Sequence, residues 1–570
     1  MNRKKKPAEE PFWLSRMALF LLGGLCVIYG LGLMVPIIDL DSAQYAHMSR
    51  QMLEEGNYLQ VREMDHDYLD KPPLLFWLGS LSYRLFGVAG WSFRLPTLLF
   101  GLLGLLSVYG MGRRLYSHRI GLMASLMCGS SLGFFIMVLD VKTDGLLFGS
   151  VAFSSWMLLA YLQDQRVTHF MLAFLGIGLG LLAKGPMGLM APALAFTIHL
   201  VMARRWKEFF RFEWLVGLLL LALMLLPMLY GLYMQFGWQG PEFYLWTQSF
   251  GRITGASEWA DDSGWYYFLH VALWVFFPWS LLVFGQIVAD VWRLFRQGLR
   301  LRGMQEFLTA GGFILLFVGL SSSRYKLPHY LFVLLPFGSI LAARALQQVA
   351  SMRVWSRVLL GFHLFLILGV LALAGWVLST VFPTRQPLLW AVLAATLLAA
   401  VWLLWHFRKN RMAQLFVPLF VVVLGGGFIM NAHFYPNLLT YQSSIPVAQE
   451  LKKHQVPIAR TVQFRTHLHS LDFYAGHYTH KINTDSADVD LRALQAYHME
   501  VGRLWVYTTA EGYGLIKGRL PVERVYSYDY FKVQALSLPF LRPSWRHLTL
   551  EKRYLVVIPG GNDDVAMATP

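Results

Sequence analysis

Residues 213–233 read EWLVGLLLLALMLLPMLYGLY. After Glu213 the run carries no charge, and a helix of this length matches the hydrocarbon thickness of a bilayer. A helix apolar on every side has no solvated face, so this stretch predicts a membrane span. Runs of the same kind recur at 17–38, 92–111, 120–139, 145–162, 168–183, 187–203, 213–233, 266–288, 308–321, 327–345, 358–380, 388–406 and 413–432, thirteen candidate spans in all. The composition agrees. The 570 residues are 56% hydrophobic and only 14% charged, where a soluble protein carries nearer a quarter charged residues. The first run is too long for a cleavable signal peptide, and no small-x-small site follows it. Cys26 and Cys128 both fall inside apolar runs, so no disulfide is expected in the aqueous regions.

The net charge of +16 raises the question of nucleic acid. Its distribution answers it. Segments that an odd span count places inside (1–16, 112–119, 161–168, 203–212, 289–307, 343–357 and 407–412) hold 23 Lys and Arg in 82 residues. The alternate segments hold 11 in 110 residues, together with 14 Asp and Glu. This is the positive-inside asymmetry, so the N-terminus is expected in the cytoplasm and residues 433–570 on the far side. No nucleic-acid partner is implied.

Three connections are long: 39–91, 234–265 and the tail from 433. All map to the outer face. In the first, 42–55 has helical spacing, with Asp41 and Ser42 where N-caps belong and Gly56 as a stop. The helix is amphipathic and is expected to lie along the interface. Pro72 and Pro73 then break the chain beside Asp70 and Lys71. The tail reads as a small α/β domain, with strands at 461–465, 503–508 and 554–559, a helix at 486–497, and no nucleophile or metal cluster that stands out.

Ionisable groups at membrane edges are costly, so each is a candidate site. Asp39 and Asp41 follow the first span; Asp140, Lys142 and Asp144 fill one outer turn; Lys184 ends a span. Arg252 lies in the loop 234–265, and Arg324, Lys326 and His329 open a later span. All fall on the outer face, where a leaving phosphate needs cations and an attacking hydroxyl needs a carboxylate. Each also has a structural reading. Asp41 caps a helix, Asp39-x-Asp41 supplies too few ligands for Mg²⁺, the lysines snorkel to headgroups, and His329 packs between helices.

Asp41-Ser-Ala-Gln-Tyr45-Ala46 with Tyr68-Leu-Asp70-Lys71-Pro72-Pro73-Leu74 resembles the first outer loop of the GT-C glycosyltransferases, in particular the aminoarabinose transferases that modify lipid A and the protein mannosyltransferase-like enzymes. The likeness continues through Thr143-Asp144, Ala183-Lys184-Gly185-Pro186, Tyr325-Lys326-Leu327-Pro328-His329-Tyr330 and Ser470-Leu471-Asp472-Phe473-Tyr474. It implies a polytopic α-helical membrane protein of about thirteen helices, with a catalytic domain over 1–432 and a periplasmic α/β domain over 433–570. It implies an inverting enzyme of the bacterial inner membrane that moves a sugar from a polyprenyl-phosphate donor to a lipid, glycan or protein acceptor.

By the same resemblance Asp41 matches the catalytic carboxylate and Asp144 the second acidic position. Lys71, Lys184 and Arg252 match the phosphate-binding cations, with Lys326 beside them. Tyr45, Asp70, His329 and Tyr330 are further site candidates. Two departures stand out: Ser42 and Gln44 replace the Glu and Arg of the common DExRYA pattern, and Trp246-Thr-Gln-Ser-Phe-Gly-Arg252 lacks a His that would hold a metal. No cofactor is required, and no ligand set supports a divalent metal. The competing reading, a transporter or flippase of lipid-linked sugar, needs polar residues through the span interiors. Here the interiors are apolar.

Overall fold

The computed structural model describes residues 12–251, 263–301 and 306–560. The chain divides into two compact units, Met1–Met34 with Ser49–Ala374 and Pro387–Ile429, and Val35–Met48 with Gly375–Gln386 and Met430–Pro570.

The first unit is helical. Among the described residues nine helices are long and apolar enough to cross a membrane. Two bent pairs raise this to eleven if each is one span: His118–Gly129 with Leu132–Leu139, bent by 55°, and Tyr267–Val275 with Ser280–Arg296, bent by 119°. Every one of the thirteen expected runs falls on a helix or a bent pair. Met187–Met202 and Leu308–Ser321, at 16 and 14 residues, are shorter than the roughly 20 residues that cross a bilayer. These two pack through small residues: a Cβ added to Gly312 would come within 2.6 Å of the Ala195 Cβ, a close approach typical of helix contacts in lipid.

Burial separates inner from outer helices. Thr143–Asp164 and Pro328–Ser351 are buried along most of their length, whereas Arg353–Val381 and Pro387–Lys409 are largely exposed. The outer helices expose Phe365, Leu368, Leu398 and Val401, side chains that only lipid accommodates on this scale. The chain is a multi-pass membrane protein whose central helices carry the polar residues described below.

Several helix ends are fixed by buried ionic groups. Arg344 grips Asp290 with two bonds of 2.6 and 3.1 Å and lies 3.5 Å from Glu306. Arg94, 1% exposed, donates from Nε to the Leu139 carbonyl at 3.0 Å and from Nη1 to the Leu33 carbonyl at 3.4 Å. A guanidinium suits helix C-termini because their last carbonyls have no intrahelical donor.

The second unit contains a five-stranded mixed sheet of β1 (Thr461–Phe464), β2 (His480–Ile482), β3 (Leu504–Thr509), β4 (Arg524–Tyr530) and β5 (Glu551–Ile558), in the order β2-β1-β3-β5-β4. β1 pairs parallel with β2 and β3, while β5 pairs antiparallel with β3 and β4. Alternate residues feed two cores. Val462, Phe464, Leu504, Val506 and Val556 meet Leu494 of helix Ala487–Val501. Trp505, Tyr507, Leu555 and Val557 meet Val447, Leu451 and Leu471. β1, β3, β5 and that helix match the expected elements. β2 has only three residues, and β4 is an exposed, tyrosine-rich edge, so neither carries the buried apolar pattern that marks a strand in sequence.

Candidate functional site

The turn between Leu139 and Thr143 is held at its start by Arg94. Helix Thr143–Asp164 then begins, placing Asp144 in its first turn, where a carboxylate is favoured by the unpaired amides and the helix dipole. Asp144 is only 4% exposed.

Lys184 is the last residue of helix Val167–Lys184. Gly185 ends that helix at φ +67°, its amide bonding the Leu181 carbonyl at 2.8 Å. Pro186 then caps the next helix. The Gly-Pro pair is the stop-and-start signal expected at such a hairpin. It is tight enough that a Cβ on Gly180 would lie 2.8 Å from the Gly188 Cα. This geometry delivers the Lys184 ammonium into an ion pair with Asp144. His329 Nε2 stands 3.8 Å from the other Asp144 oxygen, and the Lys184 ammonium sits 4.5 Å from the centre of the Tyr330 ring. Asp144, Lys184, His329 and Tyr330 therefore form one constellation, and its residues come from the ends of the two most buried spans and of helix Val167–Lys184.

Lys71 pairs with its neighbour Asp70, and Tyr68 donates to the same carboxylate at 3.5 Å. Helix Leu74–Phe86 starts directly after Pro72-Pro73, with Pro73 as its N-cap. Lys71, Pro72 and Pro73 line a small cavity with Met228, Leu232, Gln235 and Tyr244. Tyr244 links this cavity to the constellation: its hydroxyl donates to the Leu181 carbonyl at 2.6 Å, one turn before Lys184. Lys326 is buried and donates to the Ser263 carbonyl at 3.0 Å. Arg252 lies outside the described residues.

Asp41, Tyr45 and Asp39 belong to the second unit. Helix Asp41–Glu55 begins at Asp41 itself. The Leu40 carbonyl accepts the first helical bond from the Gln44 amide at 2.9 Å. Leu40, rather than Asp41 or Ser42, therefore occupies the cap position, and Asp41 is the first helical residue. Leu40 has φ +70°, a left-handed backbone that a leucine adopts only where its surroundings impose it. They do so here: the Asp39 amide donates to Gln442 Oε1 at 2.8 Å, Gln442 Nε2 donates to the Ile37 carbonyl at 3.0 Å, and the Ser470 amide donates to Asp39 Oδ1 at 2.9 Å. The Ile37 amide donates to the Tyr474 hydroxyl at 2.6 Å. Asp39 is thus a structural acceptor, held by Ser470 of the SLDFY stretch, while Tyr474 of the same stretch holds Ile37. Tyr45 is 3% exposed. Gly56 ends the helix at φ +67°, as the sequence predicts.

The sequence reading did not single out Arg94 or Tyr244. It also expected no metal cluster in the tail, whereas His467, His469 and Asp472 bring their ligand atoms within 4.8 Å of one another. The signal was present as His467-x-His469-x-x-Asp472, but such spacing means little until a turn folds it together.

The model of the dolichyl-phosphate-mannose-protein mannosyltransferase family matches residues 70–230, which include Lys71, Asp144 and Lys184. Over nearly its whole length the chain superposes on ArnT from Cupriavidus metallidurans bound to undecaprenyl phosphate, with a TM-score of 0.75, 19% identity, and coverage of 95% of this chain and 98% of that one. The fold is that of a GT-C glycosyltransferase. In sequence it is similar to the undecaprenyl phosphate-α-4-amino-4-deoxy-L-arabinose arabinosyl transferase of Edwardsiella ictaluri, 27% identical over 355 residues, and to that of Enterobacter sp. strain 638, 25% identical over 449 residues. The first match spans 60% of this chain and 60% of the relative; the second spans 74% and 78%.

Proposed function

We propose that this protein is an inverting glycosyltransferase that moves a sugar from a polyprenyl-phosphate donor to a lipid A-type acceptor. The donor class is the one named for the similar arabinosyl transferases, and its carrier is the one bound in the ArnT complex; the acceptor follows from the resemblance of the outer-loop motifs to the transferases that modify lipid A. The observation that carries the reading is the Asp144–Lys184–Tyr330 constellation at the ends of central helices. A lysine ammonium fixed there by a carboxylate and an aromatic face is preorganised for an anionic phosphate in a low-dielectric site.

In this reading Lys184 and Lys71 bind the carrier phosphate, with Arg252 and Lys326 contributing further positive charge. Asp144 orients Lys184, and His329 lies on its other oxygen. Asp41 is the general base. It accepts the proton of the acceptor hydroxyl as that oxygen bonds to the anomeric carbon; the carbon–oxygen bond to the polyprenyl phosphate breaks on the opposite face, and the electron pair leaves with the phosphate. The leaving group is already anionic, so cations serve it better than an acid does. The protein resides in a bacterial inner membrane with its N-terminus cytoplasmic and residues 433–570 periplasmic, in keeping with the Lys and Arg asymmetry.

Purified protein in detergent, given an undecaprenyl-phosphate aminopentose and lipid A, tests this directly. Transfer with inversion supports the reading. Donor hydrolysis or binding without transfer to any lipid, glycan or peptide acceptor refutes it, and donor movement across proteoliposomes without bond cleavage would favour a flippase.

A further inference from the structure

In the second unit, β1 ends at Phe464 and the chain turns through His467 into the short helix His469–Ala475. The turn sets His467 and His469 side by side, with ring centres 4.1 Å apart. His467 Nε2 lies 3.4 Å from Asp472 Oδ2. From these contacts we propose that His467, His469 and Asp472 form a binding site for one divalent transition-metal ion of the Zn²⁺ class.

Two imidazoles and one carboxylate are the donor set that borderline cations such as Zn²⁺ prefer, while Mg²⁺ and Ca²⁺ favour all-oxygen sites. The ligand atoms all lie within 4.8 Å of one another, so small rotamer adjustments bring them onto one ion. The carboxylate is oriented from behind. Asp472 Oδ1 accepts from the Thr479 amide at 3.0 Å, the Thr479 hydroxyl at 2.7 Å and Gln463 Nε2 at 3.1 Å. Three donors on one oxygen leave Oδ2 aimed at the histidines, which is how outer-shell partners fix a metal-binding carboxylate.

One of the two histidines also borders open space. His467 forms part of the wall of a cavity of about 250 Å³, shared with Thr466, Leu468, Lys532 and Arg553. Lys481 opposes binding, its ammonium 3.6 Å from Asp472 Oδ2. An ammonium there occupies the charge position that a metal takes, so the two compete, and ion binding requires the lysine stem to swing away. That competition separates a metal site from a plain structural carboxylate: removing the lysine strengthens the first and weakens the second.

The test uses the full-length protein, purified without a histidine tag, stripped with chelator and titrated with Co²⁺ and Zn²⁺. Metal content and the visible absorption of Co²⁺ are read alongside thermal melting. One ion per chain is expected, lost in His469→Ala and in the half-buried His467→Gln. Thr479→Val should weaken it about 10–100-fold, as outer-shell losses do. Lys481→Met should bind more tightly than the parent. The proposal is overturned if folded His467→Gln and His469→Ala keep the same stoichiometry and absorption as the parent. It is equally overturned if neither the parent nor Lys481→Met takes up metal, or if Lys481→Met lowers metal affinity.

Discussion

The backbone amide of Ser470 donates to the Asp39 carboxylate at 2.9 Å across 431 residues of sequence. This bond, with those of Gln442 and Tyr474, fixes the backbone two residues before Asp41. The sheet-bearing tail is thereby joined to the segment that carries the proposed base.

Asp39→Ala removes that acceptor and leaves a buried amide unpaired, a loss of about 1–3 kcal/mol. Melting temperature and turnover should both fall. Asp39→Asn retains an acceptor oxygen and should recover most of both. Equal behaviour of the Ala and Asn variants would show that the hydrogen bond is not what holds the segment.

Lys184→Ala strands the Asp144 carboxylate in a buried setting, which typically costs about 3–5 kcal/mol. The double variant Asp144→Asn/Lys184→Met removes both charges and should regain stability in a thermal melt while remaining inactive in transfer. A double variant as unstable as Lys184→Ala would mean that the pair is not the source of the loss.

Arg94→Met leaves the Leu139 and Leu33 carbonyls without their guanidinium donor. The turn bearing Asp144 should loosen, seen as faster amide exchange over 139–144 and reduced turnover, while an equally buried change such as Phe93→Leu should leave exchange in that turn unaltered. Unchanged exchange in Arg94→Met would remove the positioning role.

Asp41→Asn preserves size and helix position but removes basicity. Turnover should fall about 10²–10⁴-fold, with donor affinity retained in a binding assay. Normal turnover in Asp41→Asn, paired with collapse in Asp144→Asn, would exchange the two roles.

On the proposed orientation, with the tail in the periplasm as the Lys and Arg asymmetry predicts, a phosphatase fused after Pro570 should be active and a fluorescent protein there dark. The opposite pair of readouts would invert the orientation.

The helices were legible in the sequence because lipid forces each span to satisfy its own backbone and present apolar side chains along its whole length. That information is local, as at 213–233. β1, β3 and β5 were legible because short runs rich in β-branched and aromatic residues, buried on both faces, interrupt a polar tail. Local pattern also placed Gly56 and Gly185 at helix ends. It did not place the partners. Asp144 and Lys184 are 40 residues apart, and nothing in either helix alone shows that a Gly-Pro hairpin and close glycine contacts bring the ammonium to that carboxylate. The constrained backbone at Leu40, Arg94 across two helix ends, and the histidines beside Asp472 likewise depend on atoms brought together from distant segments. The sequence by itself determined which residues are apolar, which are ionisable, and how unevenly Lys and Arg are spread among the connections between the apolar runs. The tertiary structure alone decided which charges meet, because pairing is set by distance and desolvation after packing, and neither is a property of the chain before it folds.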